Sequence, residues 1–109
     1  MSGDTGSNMP EPFTSYVDRL IADAAAGMTV ELIESTAGLP VILVNGTPRP
    51  LPLRSDGWEV VSNLMFRCGL DVSATGIRQS GSVFSDDGVL LSCVNRPFDG
   101  RLLVQLVRV

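Results

Sequence analysis

The apolar run Pro40-Val41-Ile42-Leu43-Val44 ends at Asn45-Gly46, and this junction constrains the fold more than any other feature of the chain. Asn-Gly suits the positive φ angles of a tight hairpin turn, so the run reads as a strand whose chain doubles back beside it. The return, Thr47-Pro48-Arg49-Pro50-Leu51-Pro52, carries three prolines. Proline has no N–H to give a ladder, so the return strand is expected to be short and to lie at a sheet edge.

The flanking segments extend this start. Phe13, Tyr16, Val17, Leu20, Ile21 and Ala24 recur at helical spacing, with Asp18, Arg19 and Asp23 on the opposite face and Gly27 as a stop. Thr29–Glu34 is rich in β-branched residues and reads as a strand, separated from the apolar run by a turn at Ala37-Gly38. Ser55 is placed to cap a second helix, with Asp56 at its positive end and Trp58, Val61, Leu64, Met65 and Cys68 as its apolar stripe, closed by Gly69. After a loop over 70–76, Ile77–Ser85, Val89–Asn95 and Leu102–Val109 read as strands joined by Asp86-Asp87-Gly88 and Phe98-Asp99-Gly100 turns. The order, αββαβββ, predicts an α+β fold: an antiparallel sheet with two helices on one face. Residues 1–11, small and polar, are expected to form a disordered leader, and 12–109 a single interaction domain. Trp58 and Phe13 are expected in the core.

Several functions are disfavoured by composition. A net charge of −4 offers no general positive field for nucleic acid. Neither of the strongest apolar runs, 39–44 and 102–107, approaches the roughly 20 residues of a membrane-spanning helix. Residues 1–12 lack the basic start and apolar core of a secretory signal, so a cytoplasmic location is expected. Cys68 and Cys93 each stand among apolar residues and read as buried free thiols, and with no histidine a zinc site is not expected. No metal or other cofactor is assigned.

Catalytic groups are equally sparse. All the basic residues are arginines, so neither His nor Lys is present to activate a serine or cysteine. Glu31 and Glu34, an odd number of positions apart, point to opposite faces of a strand, and Asp86-Asp87 has turn chemistry. Gly76-Ile77-Arg78-Gln79-Ser80-Gly81 leads into a strand, unlike a phosphate loop, which opens a helix. The chain is therefore read as non-enzymatic. Its remaining polar feature is arginine in the last third, where forked donors suit carboxylate or phosphate. Arg78, Arg96 and Arg101 are the candidate partner-binding residues.

Three segments, in order, resemble the domain directly preceding the ATPase core in type II secretion and type IV pilus assembly ATPases. An amphipathic helix there ends in an Ala/Gly stretch and a Ser-Asp-Ile-His-Ile-Glu type strand, where this chain has Ala24-Ala25-Ala26-Gly27-Met28-Thr29-Val30-Glu31-Leu32-Ile33-Glu34. An Arg-x-Asp-Gly hairpin with a Pro-containing return corresponds to Val44-Asn45-Gly46 through Pro52. Gly69-Leu70-Asp71-Val72-Ser73 and Arg78-Gln79-Ser80-Gly81 are similar to the family's Gly-Leu-Asp-Ile-Ala and Arg/Pro-Gln-Asp-Gly-Arg, and the chain closes with Val104-Gln105-Leu106-Val107-Arg108-Val109. The resemblance spans Phe13 to Val109 and implies a PAS-like regulatory domain that packs on an ATPase core within a hexamer. It implies a partner in a secretion or pilus motor and a location peripheral to an inner-membrane machine. The family's nucleotide-facing arginines and its Asp and His are replaced here, so no nucleotide-sensing role is carried to those positions. Two alternatives of other classes stand beside it: a PAS-like small-ligand sensor, and a secretion-type chaperone or adaptor, which a homo-oligomeric state would favour.

Overall fold

A computed structural model describes residues 13–109. The leader assigned to residues 1–11 lies outside the described residues, as does the side chain of Phe13. In α1 (Phe13–Ala25) the residues at helical spacing, Tyr16, Val17, Leu20, Ile21 and Ala24, are all buried, while Asp18 and Arg19 face outward. The chain then forms β1 (Val30–Glu34), β2 (Pro40–Val44) and β3 (Thr47–Pro48). Asn45 and Gly46, at φ 52° and 80°, make the turn between β2 and β3. The proline-limited return pairs through Val44–Thr47 and Leu43–Pro48, with one further bond from the Arg49 N–H to the Ile42 carbonyl at 2.8 Å, and β3 is an edge strand, as the sequence requires.

The second helix, α2 (Trp58–Arg67), starts later than the sequence suggests. Its cap is Gly57, at φ 94°, and no side chain caps it. Ser55 instead shapes the approach: its Oγ accepts the Gly57 N–H at 3.0 Å and donates to Glu59 at 2.9 Å, while Asp56 accepts the Trp58 N–H at 3.0 Å. The reason lies in packing. A Cβ at position 57 would stand 3.1 Å from Pro40 Cβ and 3.3 Å from Leu51, so the chain turns into the helix where glycine alone fits. Val60, Val61, Leu64, Met65 and Cys68 are buried, and Trp58 is partly buried against the same cluster.

β4 (Gln79–Phe84), β5 (Leu90–Asn95) and β6 (Leu103–Arg108) complete a six-stranded antiparallel sheet in the order β3-β2-β1-β6-β5-β4. The fold is α+β, with both helices on one sheet face. Cross-strand registers align Val44, Val30, Leu106, Cys93 and Gly81 in one row on that face. A second row runs Ile42, Leu32, Val104, Asn95 and Gln79. Between the sheet and the helices the apolar side chains of these rows form one hydrophobic cluster with Tyr16, Leu20, Leu64 and Met65.

α2 carries the chain from one side of the sheet to the other. Its start touches Pro40 of β2, and its last residues lie over β4, where a Cβ on Gly81 would come within 2.1 Å of the Cys68 carbonyl oxygen. Crossing four strand spacings requires about 19 Å, and the ten residues of α2, at about 1.5 Å each, cover about 15 Å of it, the flanking turns supplying the rest. Arg67 binds Asp18 and the Thr14 carbonyl, tying α2 to α1, and Arg49 binds Asp23, tying the β3 return to α1. Tyr16 donates its hydroxyl to the Pro50 carbonyl at 2.9 Å. Gly81→Ala is expected to destabilise the protein by about 1–3 kcal/mol, because the obstructing atom is backbone rather than a flexible side-chain tip. Urea denaturation measures this, and an unchanged midpoint would contradict the close approach.

Candidate functional site at the uncovered sheet face

Alternation sends every second strand residue away from the helices, onto a face that neither helix covers. Val41, Ile33 and Leu103 form one row there, and Leu43, Glu31, Gln105, Val94 and Ser80 the next. These side chains range from half-buried to exposed, with Val41 at 37% exposure. The face is thus mainly aliphatic, interrupted by Glu31, Gln105 and serines.

At one end it opens into a groove of about 370 Å³, lined by Ile33, Leu103, Phe98 and Arg101 together with Glu34, Ser35 and Thr36. The local sequence builds this wall. Phe98 and Arg101 exchange both backbone hydrogen bonds at 2.9 Å across Asp99 and Gly100, whose φ angles are 53° and 74°. Such a tight turn holds an aromatic and a guanidinium side by side. Phe98 remains 65% exposed. Arg101 lies 3.8 Å from Asp99, too long for a hydrogen bond, so the pairing is a weak Coulombic one that leaves its donors available.

The three arginines singled out from sequence flank the ends of separate strands and gather at this end of the sheet. Arg96 donates its backbone N–H to Leu103 at 2.8 Å, which fixes it directly beyond β5. Continuing the β4–β5 register one step past Gln79 and Asn95 places Arg78 beside Arg96. Both are exposed. Arg108, in contrast, is at the opposite end and donates to the Ala25 carbonyl at the end of α1 at 3.2 Å.

Alternation alone could not reveal what positions Arg78. Asn95, fully buried, donates to the Thr75 and Ile77 carbonyls at 2.9 and 3.1 Å and accepts the Leu103 N–H at 3.2 Å. Gln79 accepts the Asp71 N–H at 2.7 Å and donates to the Asp71 and Ala74 carbonyls at 3.0 and 2.9 Å. The Asp71 carboxylate, accepting from the Ser73 hydroxyl and N–H, is held below its ordinary pKa. Together these bonds pin the loop that delivers Arg78.

The acidic candidates stand apart and form no carboxylate pair. Glu31 is on the uncovered face, whereas Glu34 accepts the Leu102 N–H at 3.1 Å with its carboxylate. Asp86 and Asp87 are exposed in the β4–β5 turn. Cys68 and Cys93 are buried free thiols in hydrogen-bond contact. The Cys93 thiol is pushed strongly up, first by its hydrogen bond to Cys68 and then by burial, while that same bond lowers Cys68. Compared with family models and with curated proteins, the chain matches none. Among the described residues no helix is long and apolar enough to cross a membrane.

Two outcomes are expected. Asn95→Ala should cost about 2–3 kcal/mol, from buried groups left without partners, and should speed amide exchange at Ile77 and Arg78. A maleimide should leave both cysteines unlabelled in the native protein and label both in denaturant. Rapid native labelling would contradict their burial.

Proposed function

We propose that this chain is a non-catalytic protein-interaction domain of a secretion or pilus assembly machine, and that it binds the machine's ATPase core through the uncovered sheet face. The observation that carries this reading is the convergence of an aliphatic sheet face with Phe98 and three arginines at one end. Apolar surface supplies the association energy, and forked guanidinium donors select an acidic, carboxylate-bearing partner. The segment order shared with domains that precede such ATPase cores points to the core as that partner. In this reading the protein works in the cytoplasm, peripheral to an inner-membrane machine, and its contact transmits core rotation to neighbouring subunits.

A second reading, a secretion-type chaperone or adaptor, is supported by a different feature. An open groove of about 620 Å³ runs between α1 and the β4–β5 hairpin, walled by Ile21, Ala22, Ala25 and Val83 and rimmed by Asp18, Asp86 and Asp87. It lies beside a free strand edge, a setting that accommodates an extended client. The two readings part on what binds: a folded ATPase core in the first, an unfolded secretion substrate with no ATPase present in the second.

Isothermal titration of the full chain with the motor's ATPase core is expected to show saturable binding. Phe98→Ala should weaken it about tenfold or more, as loss of a central aromatic anchor does. Arg96→Ala and Arg101→Ala should each weaken it less, with steeper loss at high salt. Absence of binding, or binding indifferent to all three changes, would remove the ATPase reading.

A further inference from the structure

The sheet has two edges, and they differ in kind. At one, β3 is two residues long and includes Pro48, with Pro50 and Pro52 following. Brevity and proline are devices that blunt an edge against pairing. At the other, β4 is six residues, Gln79-Ser80-Gly81-Ser82-Val83-Phe84, with neither proline nor charge. No described strand pairs with its outer side.

The direction of its free groups follows from one bond. Ser85 donates its N–H to the Val89 carbonyl at 2.9 Å, marking a bonded pair of the β4–β5 ladder. Antiparallel bonding alternates, so Val83, Gly81 and Gln79 also bond inward to β5. Ser80, Ser82 and Phe84 therefore present N–H and C=O outward. An antiparallel partner strand that satisfies all three and is identical to β4 must pair Ser82 with Ser82 and Ser80 with Phe84. Neighbouring registers, shifted by two, leave one of these residues without its counterpart.

That register has a consequence the backbone does not require. It sets Arg78 of one copy opposite Asp86 of the other, twice over by symmetry, with Asp87 adjacent. It also brings Ile77, 58% exposed, to the helix side of the second copy's β4. The open groove walled by Ile21, Ala22, Ala25 and Val83 lies there, with Asp86 and Asp87 along its rim and Arg67 paired to Asp18 beside them. A cation and an isoleucine precede the strand; two acids and an apolar groove follow it. The two ends of one edge are complementary to each other.

We propose that β4 is a self-pairing edge, through which a second copy of this chain joins antiparallel about a two-fold axis at Ser82, with Arg78 of each copy against Asp86 of the other. The result is one continuous sheet across both copies, with the two uncovered faces side by side. This goes beyond the proposed binding to an ATPase core, which needs only one copy. Exposed ion pairs contribute modestly, so backbone pairing and burial of Ile77 and Phe84 supply most of the association, and the charges select the register.

Sedimentation velocity of the full-length chain over a range of concentrations tests the proposal. Wild type is expected to dimerise reversibly. Ser82→Pro should abolish the dimer with an unchanged circular dichroism spectrum, because the N–H it removes points away from β5. Arg78→Asp should raise the dimer dissociation constant several-fold to about tenfold, and Arg78→Asp combined with Asp86→Arg in the same chain should recover most of the loss. Should Ser82→Pro fail to fold, the charge-reversal pair decides alone. A monomeric wild type would overturn the proposal and leave the edge to a client strand. A dimer that survives both Ser82→Pro and Arg78→Asp would overturn it too, placing the contact elsewhere.

Discussion

The pairing of β1 with β6 is the contact on which the rest of the structure depends. It joins Val30 to Leu106 and Leu32 to Val104, so that the N-terminal hairpin and the C-terminal three-strand meander become one sheet. Closing a chain segment of this length costs about 4 kcal/mol beyond a constant term. Burying a Val or Leu side chain returns about 1.5–3 kcal/mol, and the four side chains of this ladder are all fully buried. The gain therefore exceeds the closure cost only when helices cover the same rows. α1 does so over β1, β5 and β6, and α2 does so on its diagonal course from β2 to β4.

Because both helices are spent on one face, the other is left open. This distribution follows from connectivity. The chain connection between the two halves runs through α2, which is occupied in crossing the sheet, so it cannot also serve the opposite side. The same crossing sets β4, the first strand after it, at the far edge, with β5 and β6 filling in behind, while prolines close the β3 edge. An uncovered face, a protected edge and an unblunted edge are thus consequences of one topology, and the polar groups that border them, Arg78, Arg96 and Arg101, stand where strands begin or end.

Much of this was legible in the residues. Helical spacing identified the buried face of α1, Asn45-Gly46 located the hairpin, and the prolines assigned β3 to an edge, because each signal is local and backbone-determined. α2 starts two residues later than its sequence implies, since Ser55 and Asp56 carry capping chemistry yet Gly57 holds the position, for a reason set by Pro40 far along the chain. The arginine cluster was identified by type and not by arrangement. Its coherence depends on β4–β5 register and on the Asn95 clasp, and neither can be read from alternation. In the sequence Phe98 reads only as a turn residue. Its exposure became meaningful once Ile33 and Leu103, distant in sequence, were placed beside it.

The central claim is that the chain acts through its uncovered sheet face, and methyl-resolved NMR tests it most directly. On titration with the motor's ATPase core, the methyl resonances of Ile33, Val94, Leu103 and Val107 are predicted to shift or broaden, while those of Leu32, Leu91 and Leu106 on the covered face stay in place. Perturbation confined to α1 and α2, or none at saturating core, would contradict the account.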